Sequence, residues 1–202
     1  MRLGPDDYIA VGRRLLAEGG IGAVTIANVC AQLQVTKGSF YHHFDSGPAF
    51  HAALLADYED EHGRRRLREV DAVDGLLARL DALIVRGVER DHEGESAIRA
   101  WSRVDPVAAE VVARVDAARA ASLTELFTSR GMPMEQAGVH AAIAMAIVAG
   151  AQAMRRVTDR AQVEAMLREQ ARWIVTSIEH AASTSGANPG RVRRCTKGSA
   201  PG

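Results

Sequence analysis

The stretch from Val24 to Phe50, V-T-I-A-N-V-C-A-Q-L-Q-V-T-K-G-S-F-Y-H-H-F-D-S-G-P-A-F, leaves the backbone few choices. Thr25 stands where an N-cap hydroxyl can accept from an orphan N–H of a first helical turn. Ile26, Val29, Cys30 and Leu33 follow at the i, i+3, i+4, i+7 spacing of one helical face. Thr36 then caps a second helix, whose buried side carries Phe40 and Phe44. Val24 with Val29, and Val35 with Phe40, have the spacing of hydrophobic staples, which fix how the chain enters each helix. Two short helices held at a set angle form a helix-turn-helix, whose second helix stands proud enough to enter a major groove.

The outward residues of that second helix are Lys37, Gly38, Ser39, Tyr41, His42 and His43. Nearly all donate hydrogen bonds, and Lys37 brings positive charge towards phosphate or guanine acceptors. Gly38 costs about 1 kcal/mol relative to Ala inside a helix. Close approach to another backbone is a reason to accept that cost; an ordinary polar face with an accidental Gly is the plainer reading.

The run T-I-A-N-V-C-A-Q-L-Q-V-T-K-G-S-F-Y-H-H-F resembles the amino-terminal signature of the TetR family of transcriptional regulators. That signature runs approximately T-[VI]-x-x-I-A-x-x-A-G-V-[ST]-x-G-[ST]-[LF]-Y-x-H-F-x-[ST]-K-x-x-L. Thr25, Val35, Thr36, Gly38, Ser39, Phe40, Tyr41, His43, Phe44 and Ser46 fall on it. Three departures stand out. Gln34 replaces the usual turn glycine, Cys30 and Leu33 alter small core positions, and Gly47 stands where a phosphate-touching lysine is usual. The resemblance implies an all-α fold of about nine helices. A helix-turn-helix DNA-binding domain is expected over residues 1–46. A helical effector-binding and dimerisation domain should cover 47–182, and a disordered tail 183–202. It implies Lys37, Gly38, Tyr41 and His42 near base edges, with Thr25, Thr36, Ser39 and His43 holding the DNA backbone.

Charge is informative through its distribution. The 202-residue chain is formally neutral, with 25 Lys/Arg against 25 Asp/Glu. Residues 1–46 hold four of each sign, residues 47–182 hold seventeen basic and twenty-one acidic, and 183–202 hold four basic and none acidic. A body about four units negative repels non-specific DNA and leaves contact to the amino-terminal head. The basic tail reads as a solvated end or as a weak, salt-sensitive attraction for DNA. Cys30 and Cys195, the two cysteines, suggest neither a disulfide framework nor a metal site. The start M-R-L-G-P-D-D lacks the apolar core of a signal peptide, and no long apolar run argues for a membrane span. A cytoplasmic protein without membrane association is expected.

Pro5 to Glu18 reads as a first helix, with Tyr8, Ile9, Leu15 and Leu16 on one face and Gly19-Gly20 after it. A connecting helix follows from Ser46 towards Arg68. Leu76 to Val88 marks the next, closed by the polar stretch R-D-H-E-G-E. A short helix is expected from Ser96 to Val104. Asp105-Pro106 opens a long one that ends at Gly131, where Met132 folds back on Phe127. Further helices are expected from Pro133 to Val157 and from Asp159 to Ala182. No alternating pattern argues for strands.

The helix from 133 to 157 is apolar nearly all round, so it needs partners on more than one side. Its small residues Ala142, Ala146, Ala149 and Ala153, with Met166 and Trp173 on the next helix, form a candidate homodimer interface of four helices. Central core helices of a monomer are the competing reading. For the effector, the resemblance implies a cavity between the connecting helix and those that follow. Tyr58, His62, Leu83, Trp101, Leu123, His140 and Ile143 are the candidates to line it, as large or polar residues on inward faces. Trp101 serves equally as core filling.

No G-x-S-x-G, H-E-x-x-H or phosphate-cradling loop occurs, and the histidines lack ligand spacing, so no enzyme, metal or cofactor is expected. The expected function is that of a repressor that binds a pseudo-palindromic double-stranded DNA operator as a dimer and is released by a small hydrophobic molecule. A DNA-binding regulator without an effector is the alternative, and a helical enzyme a remote one.

Overall fold

The computed structural model describes residues 3–65, 73, 75–89, 92–154 and 159–185. Among them lie nine α-helices and no strand. The first is α1, Pro5–Gly19, begun by Pro5 and by the Gly4 amide donating to Asp7 Oδ2 at 2.8 Å. It is closed at Gly20, whose φ of 69° is the left-handed conformation glycine allows. A single 3₁₀ turn, Ile21–Ala23, leads to α2, Ile26–Leu33, and α3, Lys37–Tyr41. Gln34 between them adopts the left-handed conformation itself, at φ 55° and ψ 42°, a modest cost for a straight side chain. That is how the turn forms without its usual glycine.

The connecting helix α4, Gly47–Glu59, is capped by Ser46, which accepts from the Ala49 amide at 3.1 Å. It passes into a π-helical turn, Asp60–Arg65. α1 and α4 touch at Gly12, where an added Cβ would meet Phe50 Cζ at 2.8 Å and Leu54 Cδ2 at 2.9 Å. A larger residue there would have to displace the Phe50 and Leu54 side chains, so the two helices pack closely at this point.

The body continues with α5, Leu76–Glu89, α6, His92–Trp101, and α7, Pro106–Thr128. α8 spans Met134–Ala153 and α9 spans Arg160–Ser185. Asp105 caps α7, accepting from Ala108 N at 3.0 Å. Gly131 takes φ 90°, and Met132 N donates back to Phe127 O at 3.2 Å, as the end of α7 predicts. Asp159 and Gln162 cap α9 reciprocally, with backbone-to-side-chain bonds of 2.8 and 3.0 Å.

Three boundaries differ from the sequence reading. The polar residues 92–95 do not close α5; they open α6, because Glu95 is drawn into the interior by two arginines. The same helix stops at Trp101 rather than Val104, since Ser102 to Val104 turn back on it before Asp105 caps the next. α9 runs to Ser185, and the rest of the expected tail lies outside the described residues, as do 66–72 at the predicted end of the connecting helix and 155–158 at that of the 133–157 helix.

One apolar cluster runs from Tyr8, Leu16, Val29 and Phe40 through Phe50, Leu54 and Tyr58 to Ile98, Trp101, Val111 and Val115. Head and body are therefore joined by continuous packing. A second cluster, around Leu80, Leu126, Phe127 and Ile174, and a third, around Ile84, Ala151 and Leu167, hold α5 against the carboxy-terminal helices.

Candidate nucleic-acid interface

α3 is five residues long and cannot hold itself together. Its stability comes from what lies beneath. Thr36 Oγ1 accepts from the Ser39 amide at 3.3 Å, as Thr25 Oγ1 does from Asn28 N at 3.2 Å. Cys30 Sγ donates to Thr36 O at 3.7 Å and ties the cap of α3 to α2. Phe40 is fully buried, with ring centroids 5.4 Å from both Phe44 and Phe50 and 6.0 Å from Tyr8. Five of the chain's nine aromatic residues, Tyr8, Phe40, Tyr41, Phe44 and Phe50, sit in or against this motif. Such rings bury large areas at small entropy cost, so they make a stiff footing for a short helix.

On the other side, Lys37, Gly38, Tyr41 and His42 face solvent, Tyr41 with half its surface exposed. An added Cβ on Gly38 would meet only Thr36 Oγ1, at 3.6 Å. The fold itself has room for a side chain there. Ser39 and His43 are half-buried and turned towards α1. The Ser39 and Tyr8 hydroxyls are 2.7 Å apart, and the His43 ring lies 5.1 Å from the Tyr8 ring. These two residues brace α3 against α1, while Thr25 and Thr36 remain exposed at the helix starts. Arg14 adds a cationic edge, fixed by a 2.9 Å bond to Gln32 on α2.

The head is tied to the body through α4. His51 Nε2 lies 2.9 Å from Val24 O, just before the cap of α2, and its ring stands 5.6 Å from Trp101. Trp101 is thus core between α4 and α6, and Asp105 beside it is held below the usual carboxylate range, first by the Ala108 amide.

The seven residues predicted to line a cavity fall into separate places. Tyr58 and His62 meet, with ring centroids 4.8 Å apart. Trp101 shares their apolar cluster, whereas Leu83 and Leu123 pack against the second one. His140 faces α9: Ser177 Oγ is 3.4 Å from its Nε2, and Gln170 donates to its carbonyl at 2.5 Å. Ile143 is half-buried on α8. An open groove of about 400 Å³ lies between α5 and α9 and includes none of the seven.

Where α4, α6, α7 and α8 meet, the sequence reading missed a polar cluster. Asp116 accepts from both terminal nitrogens of Arg99 at 2.8 Å. Arg99 Nε donates to Gln152 Oε1 at 3.0 Å, and Arg119 Nη1 to Glu95 Oε1 at 2.6 Å. Glu95, Arg119 and Gln152 are all buried. The bonds to Asp116 raise the Arg99 pKa further still, so its charge is permanent. Burial, and then the Glu95 charge, push the Tyr58 hydroxyl up to about 12. Only two local hints existed, Glu95 with Arg99 and Asp116 with Arg119, each at the spacing of an ordinary surface pair. Among the described residues no set of His, Cys, Asp or Glu is grouped to hold a metal ion.

At the far end, Ala142, Ala146 and Ala153 are exposed and Ala149 is half-buried. Beside them Val139 is 56% exposed, Met154 54%, Met166 41% and Trp173 54%. α8 is long and apolar enough to cross a membrane, with mean hydropathy 1.3, yet only 17% of it is buried within the chain.

Residues 9–46 match the family described as bacterial regulatory proteins, tetR family. No curated protein sequence matches the chain. Among solved structures, a transcriptional regulator from Rhodococcus sp. Rha1 is similar at 21% identity, over 86% of this chain and 97% of that one, with a TM-score of 0.71. A TetR-family regulator from Agrobacterium tumefaciens is 20% identical, over 83% and 95%, with a TM-score of 0.63. A transcriptional regulator from Saccharomonospora viridis in complex with choline is 15% identical, over 82% and 93%, with a TM-score of 0.66.

Proposed function

We propose that this TetR-family transcriptional regulator is a cytoplasmic repressor that binds a pseudo-palindromic operator as a homodimer and is released by a small molecule. The observation that carries the reading is α3: a polar, donor-rich face with Lys37, Gly38, Tyr41 and His42 outward, standing on a buried aromatic footing. Residues 1–46 form the DNA-binding domain and 47–182 the effector-binding and dimerisation domain. Lys37, Gly38, Tyr41 and His42 approach base edges. Thr25 and Thr36 reach phosphates, and Ser39 and His43 hold the helix that does so.

The exposed apolar face of α8 and α9 supports dimerisation, since a patch of that kind on one chain is matched by the same patch on a second copy. Two copies then carry two α3 helices, and a two-fold operator follows from two-fold protein symmetry. Release requires a ligand that binds better to the protomer spacing that cannot engage DNA. The similar regulator in complex with choline supports a small-molecule site in this fold.

The test is binding to a random double-stranded DNA pool at two salt concentrations. A sequence-enriched fraction that survives the higher salt, and is lost in Tyr41→Ala, is the expected result. Binding that is uniform across sequences and vanishes with salt would reject it.

A further inference from the structure

The effector reading leaves the chemistry of the small molecule open, and the polar cluster inside the body narrows it. We propose that this cluster receives the carboxylate of a small, otherwise apolar molecule, seated on Arg119 Nη2, Gln152 Nε2 and the Tyr58 hydroxyl. The proposal rests on the effector reading and specifies its ligand.

Those three atoms are buried and have no protein hydrogen-bond partner. Their side chains are at least nine-tenths buried, and each comes from a different helix, α7, α8 and α4. They belong to one electrostatic group: Gln152 is bonded to Arg99, Arg119 to Glu95, and Tyr58 feels all four charges. Buried donors without acceptors are rare in folded proteins and mark places where something else completes the set.

What would complete it is an acceptor. A guanidinium nitrogen and an amide nitrogen donate only, and the Tyr58 hydroxyl keeps its proton at neutral pH. The acids are already engaged, Asp116 on Arg99 through both oxygens and Glu95 on Arg119 and Arg99. A cationic ligand would bring further donors to two nitrogens that only donate. A phosphate would bring about two negative charges beside Glu95 and Asp116. One carboxylate offers two oxygens with about four acceptor positions and a single charge. Tyr58 itself belongs to the apolar cluster that includes Ile98 and Val115, which suits an apolar remainder.

The position also suits regulation. Arg119 Nε donates to His62 O at 3.3 Å, within the π-helical turn that closes α4. A ligand on Nη2 therefore shares the guanidinium that holds one end of α4, while the other end packs closely on α1 at Gly12 and is bonded to Val24 O, just before the cap of α2.

The experiment is thermal melting of the full chain with millimolar butyrate, octanoate, benzoate and phenylacetate, each beside its primary amide and its amine. The same compounds are then tested for release of a selected operator. The expected result is a rise of roughly 5 °C for at least one carboxylate, with a smaller rise or none for its amide and amine. Tyr58→Phe removes an unpartnered donor only, so it should melt no lower than the parent, whereas Gln152→Met also removes the oxygen that accepts from Arg99; both should lose the carboxylate response. Lower melting of Tyr58→Phe would give its hydroxyl a structural role and overturn the proposal. So would a larger shift with amides or amines, a carboxylate shift that survives both variants, or no carboxylate shift at all. Amines or amides that shift melting and release DNA would leave the effector reading standing. Silence across all three classes would remove that reading as well.

Discussion

α3 and α8 both turn side chains to solvent, but with opposite chemistry. α3 offers Lys37, Tyr41 and His42 and keeps its apolar residues beneath, where Phe40 is fully buried among Tyr8, Phe44 and Phe50. α8 offers Val139, Ala142, Ala146 and Ala153, and buries less than a fifth of its length within the chain. A polar face needs no partner to be stable, so α3 can wait for DNA as a finished surface. An apolar face of this extent is costly in water, and in the function proposed above a second copy covers it.

The sharpest way to break this comparison is to place a charge on the apolar face. In Ala146→Glu a two-fold contact would bury the carboxylate twice, at roughly 3–5 kcal/mol for each unpaired charge. Sedimentation should show a folded monomer, and operator affinity should fall at least a hundredfold. A stable dimer would show that α8 is not the contact. Next comes the footing of α3. Phe40→Ala should cost about 3–5 kcal/mol of stability through the cavity it leaves, read by denaturant unfolding, and should abolish DNA binding. A loss under about 1 kcal/mol would mean that the aromatic cluster is not what holds the head.

Tyr41→Ala separates reading from folding. Operator binding should weaken by about 1–3 kcal/mol, while stability stays within about 0.5 kcal/mol, as for an exposed residue. The smallest effect lies at the other end. Burial lowers the His140 pKa below its ordinary 6.5. The unfolded chain then takes up this proton before the folded one does, so the contribution is present above pH 6.5 and lost as pH falls through the lowered value. Melting should decline slightly between pH 7 and 5, and less so in His140→Gln. Equal declines would place the titration elsewhere.

The two ends also differ in how far the sequence discloses them. At the head, caps and staples join residues three to five apart, so Thr25, Thr36, Val24 and Val35 announce both helices and the turn. Even the missing glycine resolves locally, in the conformation of Gln34. The body's polar cluster was not legible, because Glu95, Asp116 and Gln152 meet only once α6, α7 and α8 have packed. His140 was read as a candidate to line a cavity. Its partner is Ser177 on α9, and nothing along the chain distinguishes that helix from any other. The early start of α6 has the same origin, since the ion pairs of Glu95 with Arg99 and the buried Arg119 draw it inward.

The most direct measurement of the central claim is the sequence of the DNA that the chain selects from a random duplex pool, together with the mass of the complex. The account predicts an inverted repeat with half-sites about one helical turn, or a multiple of it, apart, roughly 34 Å per turn, bound by two protomers. Tyr41→Ala should relax the preference at specific positions within each half. A single undivided site bound by one protomer, or a pool that emerges without any preferred sequence, would contradict it.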